Sequence, residues 1–156
     1  MKPMMMNPAQ GIPLGKVLVV DDNPIIQRTV YFALRDRGFT VVMTGEIFAA
    51  LKIIREQQFG AILLDLNFPF DASISGGTVC DGFWALNWMR RMEETKGVPI
   101  IIVSSDPPEK SMSRAMSEGA AAYFQKPLNM SELAATLARL IPPIPPIASA
   151  PAAGVG

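Results

Sequence analysis

The chain has 156 residues, 49% of them apolar, which fits one domain with a real core and excludes wholesale disorder. Lys plus Arg and Asp plus Glu each number 14, so the formal charge is zero and no global basic field points to nucleic acid. Histidine is absent and Cys80 is the single cysteine, which excludes Ser-His-Asp and Cys-His machinery, histidine-ligated zinc, an internal phosphohistidine, an internal disulfide and a cysteine metal cluster.

Residues 1–15 are rich in Met, Pro and Gly and read as a flexible lead. Prolines interrupt it, so it has no unbroken apolar core of a signal peptide. No apolar run approaches the roughly 20 residues that span a bilayer, and the expected location is the cytoplasm. Gly11 to Lys16 resembles a phosphate loop only loosely: the spacing is short, Val17 follows the lysine, and a strand comes next.

The first predicted strand is 16–20, ending in Asp21-Asp22. Asn23 is placed to cap a helix that begins at Pro24, with Ile26, Val30, Ala33 and Leu34 on one face and Gly38 at its end. Strand 40–43 leads to a helix over about 46–57, with Ala50, Leu51 and Ile54 inward. Strand 61–65 ends in Asp65. After Phe70 to Cys80, a third helix starts near Gly82, its apolar stripe read as Ala85, Trp88, Met89 and Met92. Trp84 and Trp88 at helical spacing are read as core or half-buried packing. Strand 99–104 ends in Ser104. A fourth helix carries Met112, Ala115 and Met116 and stops at Gly119. Strand 121–124 precedes Lys126-Pro127. The fifth helix opens at Asn129 with Glu132 in a capping-box-like spacing and presents Leu133, Leu137 and Leu140. From Pro142 to Gly156 the composition is that of a Pro/Ala-rich linker or tail. Five alternating βα units with near-continuous apolar strands imply a doubly wound parallel sheet with helices on both faces. With the first strand beside the third, the order is 2-1-3-4-5.

In such a sheet, ligands sit outside the carboxyl ends of the strands. That edge would gather Asp21, Asp22, Asp65, Ser104 and Lys126. Adjacent carboxylates repel unless a cation is present, and Mg²⁺ is the hard, oxygen-seeking candidate. A carboxylate is a competent nucleophile toward phosphorus. Each feature alone is also what an ordinary βα loop carries. Pro127 disfavours helical geometry at Lys126 and keeps it extended, so that its amine would project over the strand ends.

Together these residues resemble the receiver domain of two-component response regulators (CheY-like, with a flavodoxin-like fold) over roughly residues 16–141. The resemblance implies metal binding by Asp21 and Asp22 with Asp65 and the backbone carbonyl of Asn67. It implies Asp65 as the phosphoacceptor, Ser104 as the switch hydroxyl, Tyr123 as the switch aromatic and Lys126 as the invariant lysine. The stretch Glu118 to Pro127 is very close to the family pattern. The implied partners are a sensor histidine kinase or a histidine phosphotransfer protein, with an unspecified downstream effector. A homodimer through the switch face is compatible with it, and no direct nucleic-acid contact is expected. Enzymatic turnover beyond self-phosphorylation and self-dephosphorylation is not expected. The chain departs from the pattern in placing an insertion at about 70–80, between Pro69 and Asp81-Gly82, and in having Phe68 where the family often has Met. Asp106, two residues past Ser104, would hinder or orient an attacking water. Two alternatives stand: a receiver-like scaffold that is not phosphorylated, and a metal-dependent phosphatase using Asp65, which Asn67 disfavours.

Overall fold

A computed structural model describes residues 15–67 and 81–141. The lead before residue 15, Phe68, Pro69, the insertion and the tail from Pro142 lie outside the described residues. Among the described residues, strands β1 (Gly15–Val20), β2 (Phe39–Thr44), β3 (Ala61–Asp65), β4 (Ile100–Ser104) and β5 (Ala122–Gln125) alternate with five helices. These are α1 (Pro24–Arg35), α2 (Ile47–Glu56), α3 (Gly82–Arg91), α4 (Pro108–Ser117) and α5 (Met130–Leu140), with a short 3₁₀ turn at Glu93–Thr95. All strand pairs are parallel, in the order β2-β1-β3-β4-β5. The predicted fold class and strand order hold, with strand ends differing by one residue.

Strands β1, β3 and β4 are covered on both sides, which is why their sequences are continuously apolar. Leu18, Ile62, Leu64, Ile100 and Ile102 face α2, α3 and Ala115 of α4. Val17, Val19, Ala61, Leu63 and Ile101 face Val30 and Leu34 of α1 and Leu133 and Leu137 of α5. Each fully buried Leu or Ile contributes roughly 1.5–3 kcal/mol through its transfer from water.

The helix starts follow from local chemistry. The Asn23 side chain accepts the backbone N–H groups of Ile25 and Ile26, with Pro24 in the first turn. Asn129 accepts the N–H of Glu132, and Asp81 that of Trp84. Gly38 takes φ of 101° after α1, where a side chain would be strained.

Two apolar stripes require correction. In α3 the buried positions are Ala85, Leu86 and Met89, while Trp88 is 39% exposed and Met92 falls beyond the helix. In α4, Ser111 and Ala115 are buried, whereas Met112 and Met116 are exposed. Small side chains let α4 approach the sheet closely, and the bulkier methionines are left on its outer flank.

Candidate phosphoacceptor and metal site

Register places the polar residues together. Val20 pairs with Leu64, Asp65 with Val103, and Ser104 with Gln125. The ladder continues past the strand ends: Asp21 N–H donates to the Thr44 carbonyl, Leu66 N–H to that of Val103 and Lys126 N–H to that of Ser104. The polar residues after β1, β3, β4 and β5 therefore leave the sheet at one level.

Carboxylate oxygens of Asp21, Asp22 and Asp65 all lie within 4.8 Å of one another. Asp21 and Asp65 are buried, and Asp22 is exposed at the mouth. The Lys126 amine reaches across from β5, with Nζ 3.0 Å from Asp21 Oδ2 and 3.4 Å from Asp65 Oδ2. The Lys126–Pro127 peptide bond is cis. Asp65 Oδ1 accepts the N–H of Asn67 at 2.9 Å, and Asp21 Oδ1 accepts that of Asn23 at 2.9 Å. Each carboxylate is thus fixed by a turn two residues long.

Burial pushes the Asp65 carboxyl above its ordinary value, and the neighbouring Asp21 charge pushes the same way. The Asn67 N–H and the Lys126 ammonium oppose that shift. Three carboxylates against one ammonium leave an excess of negative charge on hard oxygen donors. That donor set fits Mg²⁺ rather than a soft metal, and exposed Asp22 leaves room for the waters Mg²⁺ retains.

Beside this cluster, the Ser104 hydroxyl is buried and donates to Asn67 Oδ1 at 3.2 Å. Asn67 Oδ1 also accepts the Ser105 N–H at 2.8 Å. Ser104 Oγ accepts the Asp106 N–H at 2.9 Å. The Tyr123 hydroxyl donates to the Asp106 carbonyl at 2.8 Å. The Asp106 carboxylate faces α4, accepting from Ser111 Oγ and pairing with Lys110 at 3.5 Å. In the sequence-based expectation Asn67 takes part only through its backbone carbonyl. Its side-chain amide joins β3 to the β4–α4 loop, and the only sign of this in the sequence is an amide two residues past a strand-end acid.

The model of the response regulator receiver domain matches residues 17–138, most of the chain. The chain belongs to the response regulator receiver family. Among curated relatives, the DNA-binding response regulator MtrA of Mycolicibacterium smegmatis is 31% identical over 120 residues, 77% of this chain and 47% of its own. The phosphate regulon transcriptional regulatory protein PhoB of Escherichia coli is 28% identical over 133 residues, 85% of this chain and 54% of its own. This receiver spans about half the length of those relatives. They lend no support to the expectation of no nucleic-acid contact, since MtrA is DNA-binding by name. Among solved structures, the receiver domain of the sensor histidine kinase PA1611 from Pseudomonas aeruginosa, with a magnesium ion coordinated in its active-site cleft, superposes with a TM-score of 0.69. It is 28% identical and covers 81% of this chain and 96% of its own. The chemotaxis response regulator CheY4 of Vibrio cholerae gives a TM-score of 0.68 at 30% identity, covering 81% and 98%. Among the described residues, no helix is long and apolar enough to cross a membrane.

Proposed function

We propose that this receiver accepts a phosphoryl group on Asp65 from a phosphohistidine of a sensor kinase or phosphotransfer protein, and that the new dianion switches a partner surface. The observation that carries the reading is the cluster itself: three carboxylates within 4.8 Å, with the Lys126 amine 3.0 Å from Asp21 and 3.4 Å from Asp65. Residues 16–141 are the receiver unit in this reading, with the lead, insertion and tail appended to it.

An Asp65 carboxylate oxygen attacks phosphorus as the phosphorus–nitrogen bond to the donor imidazole breaks, and the electron pair of that bond stays with the imidazole. Lys126 holds Asp65 ionised against the effect of burial and offsets charge on the transferred phosphoryl oxygens. The Asn67 N–H bond orients the carboxylate. Asp21, Asp22, Asp65 and the Asn67 backbone carbonyl would hold Mg²⁺, which when bound neutralises phosphoryl oxygens. Ser104 then donates to the phosphoryl group. Asp106 and Tyr123 follow it through their hydrogen bonds, which remodels the face made by α4, β5 and α5. The output passes to an effector that binds this face. Asp65 turns over only its own phosphoryl group, so the receiver is a signalling phosphoacceptor rather than an enzyme acting on free substrates.

Incubation with acetyl phosphate and Mg²⁺ tests the reading by intact-mass measurement. One added phosphoryl group is expected on the wild type and none on Asp65→Asn. Equal labelling of the two proteins would remove Asp65 from its role, and multiple turnover on phosphate esters would favour the phosphatase.

A further inference from the structure

A serine hydroxyl has one proton to donate. In this structure Ser104 donates it to Asn67 Oδ1, 3.2 Å away. While that bond stands, Ser104 cannot donate to a phosphoryl oxygen on Asp65. The second bond to the same amide oxygen, from Ser105 N–H at 2.8 Å, fixes the acceptor and ties the loop backbone to it. Asn67 is anchored in turn, because its own N–H is bonded to Asp65 Oδ1.

We infer that the Asn67 side-chain amide is a latch that competes with the phosphoryl group for the Ser104 proton and so sets how readily this receiver switches. The inference rests on the phosphoacceptor reading of Asp65. Hydrogen bonds join the parts without a gap: Asp65 to Asn67, Asn67 to Ser104 and Ser105, Ser104 to Asp106, and Asp106 to Tyr123. Switching is then an exchange of acceptors at Ser104 Oγ. The resting acceptor is a neutral amide, and the competing one is a charged phosphoryl oxygen, which makes the stronger bond. Opening the latch leaves the Ser105 N–H to water, since Ser105 is exposed. Asn67 is exposed as well, so its amide can leave without opening a cavity. Asn67 is therefore a positioning residue, acting through Ser104.

The test compares wild type, Asn67→Ala and Asn67→Asp by amide NMR, first alone and then titrated with fluoroberyllate, a tetrahedral phosphoryl mimic, in the presence of Mg²⁺. In the untitrated Asn67→Ala protein the Ser105 amide resonance is expected to move upfield, as it loses its acceptor, and the Tyr123 amide to shift with it. Asn67→Asp keeps an oxygen at the same position and is expected to restore the Ser105 resonance, which a merely structural loss would not do. Removing one net hydrogen bond from the resting state is expected to lower the fluoroberyllate midpoint of Asn67→Ala by about 2- to 12-fold. A titrating wild type with an unchanged or higher midpoint in Asn67→Ala, or a Ser105 amide that does not move, overturns the latch alone. A wild type that does not respond to fluoroberyllate overturns the phosphoacceptor reading, and the latch with it.

Discussion

At Asp65 the demands of folding conflict with those of the proposed phosphoacceptor chemistry. Burial and the Asp21 charge raise its pKa above the ordinary 3.8, so the folded state holds its proton more tightly than the unfolded chain does. Stability is then lost as pH rises from the unfolded value through the higher folded one, and the penalty is fully present above that window. Asp65→Asn is therefore expected to be more stable than wild type by ~1 kcal/mol at neutral pH, with the gap closing below about pH 4. Urea unfolding of both proteins across that range measures it. Lys126→Met leaves two buried carboxylates without their cation, so Asp65 should titrate still higher. Acetyl-phosphate labelling should slow by roughly 100-fold or more, the scale of losing one preorganised charge donor; a time course of intact mass checks this. The strand-end residues Asp21, Asp65, Ser104 and Lys126 were legible because each ends an apolar run, and the sheet brings such ends to one edge. The Asn67 amide was not, because the donors its oxygen meets come from the end of β4 and the residue after it, and which donor a side chain meets depends on cross-strand register.

Helix faces were legible only where the apolar stripe was also the close-packed one. In α5, Leu133 and Leu137 are spaced one turn apart and both are buried. In α3, Leu86 and Trp88 flank the Ala85–Met89 line on opposite sides, and periodicity alone does not choose between them. The smaller Leu86 goes inward, while the Trp88 indole stacks on Trp84 with rings 5.8 Å apart and has Arg91 against it. The start of α3 has a firmer constraint. A Cβ on Gly82 would stand 2.3 Å from Leu66 Cα and 2.7 Å from the Asp65 carbonyl oxygen, so the helix enters directly against the end of β3. Both neighbours are backbone and cannot rotate away. Gly82→Ala should thus push α3 off β3 and move the Asp65 carboxylate, costing ~2 kcal/mol or more. Asp81→Ala, which removes only the cap on Trp84 N–H, should cost about 1 kcal/mol and leave Asp65 in place. Thermal unfolding separates the two costs. Acetyl-phosphate labelling shows whether the loss at Gly82 reaches the site.

Across the whole molecule, the sheet separates two apolar layers and gives its two edges different tasks. Carboxylates and Lys126 crowd the edge at the strand ends, while the opposite edge is closed by Ile141. A Cβ on Gly60 would stand 2.8 Å from Ile141 Cγ2, and one on Gly15 3.1 Å, so this side chain fills the space between the starts of β3 and β1. That closure was not legible in the sequence. Ile141 follows α5 by one residue and precedes prolines, and it reads as the last residue before a linker. Only the packing of α5 against the sheet carries it to Gly60. Ile141→Ala should open a cavity there and cost about 2–5 kcal/mol, the usual range for a buried large-to-small change. Gly60→Ala in the wild-type background should destabilise by crowding Ile141. In the double variant the new methyl group enters the vacated space, so the two costs should fall short of their sum by at least ~0.5 kcal/mol. The strand between these edges, Ala61–Asp65, is roughly 15 Å long, so the loss should remain local. Folded Ile141→Ala protein should still take up one phosphoryl group from acetyl phosphate at the wild-type extent. A strictly additive cycle would place Ile141 elsewhere, and a folded variant that no longer labels would mean that the two edges are mechanically coupled through β3.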